Sequence, residues 1–156
     1  MRVSPSIDGG RYPIKRLVGD VIEVGADLVK DGHDLLAARI CYRPEDEREW
    51  RYAPMTFDYD SDRWSGSFPV DRVGRWTLSV EGWMDAFGTW IDHLEKKLAA
   101  GQDVSSDLLE GADLAGDAAR RAKAAARTRL REFERVLRDE ARPAAERAAA
   151  AVEDEV

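Results

Sequence analysis

The residue types that most often carry chemistry are few in this chain and do not converge. His33, Cys41 and His93 are the only histidines and cysteine, and they lack the short spacing that sets metal ligands side by side. Asp58-Tyr59-Asp60-Ser61-Asp62 has the Asp-x-Asp-x-Asp opening of a calcium loop. Arg63, however, stands where that loop needs glycine, and Pro69 stands where it needs the bidentate glutamate, so the run reads as a solvated turn before a strand. Gly9-Gly10 leads into Arg11 and Pro13 rather than into a helix, which suits a turn better than a phosphate cradle. No serine, histidine and acid fall in a nucleophile-elbow arrangement, and no carboxylate pair sits on an obvious scaffold. The sequence therefore offers no catalytic residue, no cofactor site and no metal site. Trp83 and Trp90 are different: a flat indole matches the C–H face of a sugar ring, and both lie at or beyond a strand end, where an interface or sugar contact is open to them.

Two kinds of sequence position these residues. Up to about residue 82, apolar side chains recur at every second position, as when a strand buries one face and wets the other. Ile22, Val24, Ala26 and Leu28 alternate with polar or small residues until Asp31-Gly32-His33-Asp34 makes a turn. Ala38, Ile40 and Tyr42 repeat the pattern. Trp50–Phe57, Trp64–Val70 and Trp76–Gly82 supply three more strands, with Trp64, Phe68, Val70, Trp76, Leu78 and Val80 facing inward. Five short strands without helices between them predict an antiparallel β-sandwich of the immunoglobulin or fibronectin kind. Such a sandwich has about seven strands, so an edge strand either precedes the first of these or is missing from the chain.

Beyond that point the period lengthens. Phe87, Trp90, Ile91, Leu94 and Leu98 sit at helical offsets, which predicts a helix, although so short a run also suits an extension of the sheet. After Gly101, the residues Asp103, Ser105 and Ser106 offer an N-cap. A seam in steps of three and four then runs through Leu108, Ala112, Ala115, Ala119, Ala122, Ala126, Leu130, Phe133, Leu137, Ala141, Ala144, Ala148 and Val152. Pro143 predicts a break, and Gly111 or Gly116 offers another, giving two or three helices. Alanine buries little area, so the seam needs a partner surface: the sandwich, a neighbouring helix or a second copy of the chain. The basic run Arg120, Arg121, Lys123, Arg127, Arg129 and Arg131 is followed at once by acids and reads as a solvated face. The fold class is α+β, with a sandwich domain over residues 1–100 and an Ala-rich helical segment over 101–156.

The 156 residues carry a net charge of −7, the wrong sign for a general nucleic-acid binder. A single cysteine excludes an internal disulfide and fits a cytoplasmic setting. No apolar run reaches the roughly 20 residues that span a bilayer, so no membrane partner is expected. The acidic ending Glu153-Asp154-Glu155-Val156 has no glycine stop and opposes the helix dipole, as in a chain cut from a longer one.

Several words, taken in order, resemble the N-terminal region of bacterial maltose-1-phosphate maltosyltransferases of the α-amylase clan. They are Asp8-Gly9-Gly10-Arg11-Tyr12-Pro13-Ile14-Lys15-Arg16, Asp31-Gly32-His33-Asp34, Asp62-Arg63-Trp64-Ser65-Gly66, Gly101-Gln102-Asp103 and Arg142-Pro143-Ala144-Ala145. The most specific runs from Val80 through Gly82, Trp83 and Gly88 to Trp90. The resemblance implies a sandwich interrupted by helices that help to form a homodimer, a catalytic barrel C-terminal to this region, and a sandwich strand beyond Val156. It also implies that this chain is inactive alone although its parent is a hexosyltransferase acting on α-glucan. Ala115–Thr128, which reads as continuous helix, departs from the family's helix–loop–helix. Two other functions remain open at this level: a free-standing carbohydrate-binding module using Trp83 and Trp90, and a helical protein-interaction module.

Overall fold

The structure is a computed structural model that describes residues 2–153, without the Glu153 side chain; the acidic ending Asp154-Glu155-Val156 lies outside the described residues. Two compact units divide the chain at Met84 and Asp85. The boundary expected near residue 100 falls earlier because the run from Ala86 is helical and its apolar face packs with the later helices.

The first unit is antiparallel β. Its strands are β1 (Arg2–Ser4), β2 (Val21–Asp27), β3 (Leu36–Pro44), β4 (Arg51–Asp58), β5 (Arg63–Pro69) and β6 (Trp76–Met84). The five strands expected from alternation are all present, and β1 is the N-terminal edge strand that alternation could not reveal in three residues. They form one hydrogen-bonded sheet in the order β1-β2-β5-β4-β3-β6. The joint is β4. Its residues Arg51–Met55 pair with β3, whereas Thr56–Asp58 pair with β5. Strands that change partner in this way let a sheet turn a corner. The corner brings Ile22 and Val24 of β2, Ile40 of β3, Met55 of β4, Trp64 and Phe68 of β5 and Val80 of β6 into one core. Tyr42 stacks on Phe68 with centroids 4.3 Å apart, a contact between strands that are not hydrogen-bonded neighbours.

The second unit is helical: α1 (Ala86–Ala99), α2 (Ser105–Arg121), α3 (Ala124–Arg138) and α4 (Ala144–Glu153). Residues 87–98 are therefore helix, with Asp85 capping α1 by accepting from the Gly88 N–H at 2.9 Å. Asp103 accepts from the Ser105 N–H at 3.0 Å and so serves the first turn of α2. Pro143 does precede a new helix. The other break falls at Ala122 and Lys123, which are extended, and not at Gly111 or Gly116. This overturns the continuous helix expected over Ala115–Thr128: the backbone turns there so that Ala112, Ala115, Phe133 and Leu137 share one core, and that burial outweighs the helix propensity of alanine. Part of the small-residue seam finds its partner within the chain, since Leu108, Ala112, Ala115, Ala119, Leu137 and Ala148 are all buried, whereas Ala126 and Ala141 are exposed.

Close approach in this unit depends on one glycine. A Cβ on Gly111 would lie 2.0 Å from the Trp90 ring. Alanine is favoured over glycine in a helix by about 1 kcal/mol, yet Gly111→Ala is expected to destabilise the helical unit by about 1–3 kcal/mol through overpacking. In a Trp90→Phe background, which removes the crowding ring, the same change should become neutral or stabilising. Chemical denaturation of the four variants measures the coupling.

Candidate functional site

Alternation that sends Ala38, Ile40 and Tyr42 inward must send Arg39, Cys41 and Arg43 to the other face of β3. The same rule turns Glu81 and Trp83 outward on β6, and Tyr52 and Pro54 outward on β4. Register then assembles them. Arg39 lies between Pro54 and Glu81, Cys41 between Tyr52 and Ser79, and Ala37 opposite Trp83.

Arg39 organises this face. Its Nε and Nη2 reach Glu81 Oε2 at 2.8 and 2.7 Å. Its guanidinium carbon stands 4.1 Å from the centre of the Tyr52 ring and 5.7 Å from that of Trp83, within cation–π range of both. Tyr52 is 53% and Trp83 45% exposed, so the two rings flank the cation and still face solvent. The hydrogen bonds from Arg39 and then from Cys41 hold the Glu81 carboxyl below its ordinary range, and Glu81 in turn raises Arg39. Cys41 lies beneath this layer, buried although it is on the outer face; burial, then its bond to Glu81, pushes its thiol upward. Beside the cluster a shallow depression of about 590 Å³ runs along Ala37, Pro54 and Thr56 to Phe57 and Trp64, where β4 leaves β3 for β5.

A larger hollow of about 920 Å³ lies between the segment from Pro5 to Val18 and β6, lined by Tyr12, Leu17, Phe68, Trp76 and Leu78 among others. It adjoins the edge of β6, which pairs only with β3 among the described residues.

The structure separates the two tryptophans singled out from sequence. Trp90 is buried between α1 and α2, where its Nε1 donates to the Asp107 carbonyl at 2.6 Å. Trp83 is accessible. His33 and His93 are exposed, one in a turn and the other on α1. The Asp58 carboxylate accepts from the Ser61 hydroxyl and then from the Asp60 N–H of its own turn, which lowers its pKa. In the basic run, Arg120 pairs with Asp117 and Arg131 with Glu134. Tyr52, Arg39 and Glu81 were not singled out from sequence, and strand parity was the signal that could have found them. Among the described residues no three His, Cys, Asp or Glu side chains gather as a metal site, and no helix is long and apolar enough to cross a membrane.

An antiparallel sheet unit followed by a four-helix unit, with an aromatic and ionic cluster on the sheet's outer face, defines the class of this chain as α+β. Comparison with known families makes it specific. The chain matches, over residues 1–156, the family described as alpha-1,4-glucan:maltose-1-phosphate maltosyltransferase, domain N/S, and it belongs to that family. It is 46% identical over 127 residues to the alpha-1,4-glucan:maltose-1-phosphate maltosyltransferase of Myxococcus xanthus, covering 79% of this chain and 19% of that protein. The corresponding figures for the Chlorobaculum tepidum protein of the same name are 48% over 122 residues, 78% and 18%. For maltosyltransferase 1 of Streptomyces coelicolor they are 37% over an alignment of 158 residues, 99% and 23%. The chain thus spans about a fifth of the length of these relatives.

Two outcomes follow from the cluster. The raised Cys41 pKa leaves less thiolate at pH 8 than a free cysteine has, so a disulfide reagent should modify Cys41 slowly in the native chain and quickly in guanidinium. Fast native labelling would contradict the burial. The lowered Glu81 pKa means that its pairing stabilises the fold above the ordinary glutamate range and is lost as pH falls through the folded value. An NMR titration should place Glu81 below the usual value of about 4.3, and Arg39→Met should bring it back up.

Proposed function

We propose that this chain is the non-catalytic N-terminal scaffold and dimerisation region of a maltosyltransferase that moves maltosyl units from maltose 1-phosphate to α-1,4-glucan in cytoplasmic α-glucan synthesis. The observation that carries this reading is a domain N/S match over the whole chain, together with relatives about five times as long. The catalytic barrel then belongs C-terminal to this region. In the same reading the sheet unit is an incomplete sandwich of the immunoglobulin or fibronectin kind, with β4 serving both layers. The edge of β6 that no strand covers among the described residues, and the hollow beside it, suit a further strand from the longer protein.

Dimerisation is assigned to the helical unit. Its buried seam is already used within the chain, so a second copy would meet what remains apolar outside: Leu109, 42% exposed, and the exposed Ala124, Ala125 and Ala126 at the start of α3. Trp83 favours a second role, a sugar contact on the sheet unit, because an exposed indole offers the flat apolar face that a pyranose stacks on.

Sedimentation should show a dimer at high protein concentration, and Leu109→Lys should shift it to monomer. A strict monomer at every concentration would refute dimerisation. The chain alone should transfer no maltosyl units from maltose 1-phosphate to maltooligosaccharide, and any measurable transfer would refute the non-catalytic role.

A further inference from the structure

We infer that the outer face of β4, β3 and β6 is a binding platform for a neutral α-glucan chain, with Tyr52 and Trp83 stacking on sugar rings and the Arg39–Glu81 pair meeting hydroxyl groups between them. The choice of α-glucan among neutral polyols rests on the functional reading above; the platform itself rests on geometry.

Strand parity and register place all four side chains on one face. Both rings lie within 6 Å of a single guanidinium carbon, at 4.1 and 5.7 Å, so Arg39 holds them in place before any ligand arrives. A platform ordered in advance spares the ligand the entropy of ordering it. The rings keep about half of their surface exposed, although the core of this unit closes without them.

Charge selects the ligand class. Arg39 and Glu81 neutralise each other at 2.7 Å, so the pair between the two rings carries no net charge with which to hold an anion or a cation. It does present two aromatic faces for C–H groups, a carboxylate that accepts from hydroxyls, and Nη1, the guanidinium nitrogen not committed to Glu81. That combination fits a polyol with apolar ring faces. The adjoining depression of about 590 Å³ gives a short oligosaccharide room to continue towards Thr56; small-ligand sites usually occupy about 300–1,000 Å³.

Maltoheptaose titrated into the whole chain, followed by tryptophan fluorescence and calorimetry, tests this. Saturable binding is expected. Trp83→Ala and Tyr52→Ala should each weaken it by about tenfold or more, equivalent to at least about 1.4 kcal/mol, with unchanged circular dichroism and melting. Trp83→Phe should retain most of it, and Arg39→Met should weaken it without abolishing it. No binding up to millimolar maltoheptaose, equal binding by Trp83→Ala, or equal binding of a β-linked cellooligosaccharide would each overturn the inference. Sedimentation of the same samples keeps the two readings apart. A dimer that ignores maltoheptaose sinks only the platform, whereas a monomer that binds maltoheptaose through Trp83 sinks only the dimerisation role.

Discussion

One strand with two partners governs the sheet unit. Backbone N–H and C=O groups must be paired or solvated, and β4 meets that requirement by giving Arg51–Met55 to β3 and Thr56–Asp58 to β5. The hand-over between Met55 and Thr56 forces the chains close together: a Cβ on Gly66 would lie 2.6 Å from the Pro54 carbonyl oxygen, so only glycine fits. It also wraps the sheet around its core, which is how Tyr42 comes to stack on Phe68. Because the pairing of β3 with β4 ends at Ala38, Leu36 and Ala37 have no β4 residue beside them. Trp83 stands opposite Ala37, a small side chain with an empty far flank. The corner that closes the core therefore bares the indole and opens the depression next to it.

Size matching does for the helical unit what the corner does for the sheet. Along α2, Gly111, Ala112, Ala115 and Ala119 form a smooth face, and the bulk comes from elsewhere: Phe87, Trp90 and Leu94 on α1, Phe133 and Leu137 on α3. Burial contributes roughly 25 cal/mol per Å² of apolar surface, so these large residues supply most of the area while the small ones set how near the helices come. The rings of Phe87, Trp90 and Phe133 meet at centroid distances of 5.2 to 6.4 Å, tilted or edge-on as aromatic quadrupoles prefer. Arg147 closes the end of α3, its buried Nη1 donating to the Leu137 carbonyl at 2.7 Å. A cation at a helix C-terminus meets both an unpaired carbonyl and the negative end of the dipole.

Much of this was legible in the sequence because it is periodic. Inward positions on β2, β3, β5 and β6 followed from alternation, and the apolar offsets from Phe87 to Leu98 were those of a helix. What escaped was set by distant partners. No local signal marks β4 as shared between two neighbours, or Cys41 as buried, since its cover comes from Tyr52 and Glu81 on flanking strands. The break at Ala122 carries neither glycine nor proline; it is imposed by α3 folding back along α2. A seam of alanines shows that a partner exists but not which one; for Ala112, Ala115, Ala119 and Ala148 it is helices of the same chain.

The two tryptophans show how period, rather than position along the chain, decides fate. Trp76, Leu78 and Val80 face the core, so parity alone sends Trp83 to the opposite face. Trp90 lies three residues after Phe87 and four before Leu94, the offsets of a single helix face, and that face is the one buried. The two indoles are only seven residues apart in sequence, yet one is counted by twos and the other by threes and fours. A buried indole repays its bulk in packing, as Trp90 does with Phe133. An exposed one in a strand gains little of that, and a lysine there would protect the sheet edge better. Trp83 is better understood through what its open face can contact than through anything it does for the fold.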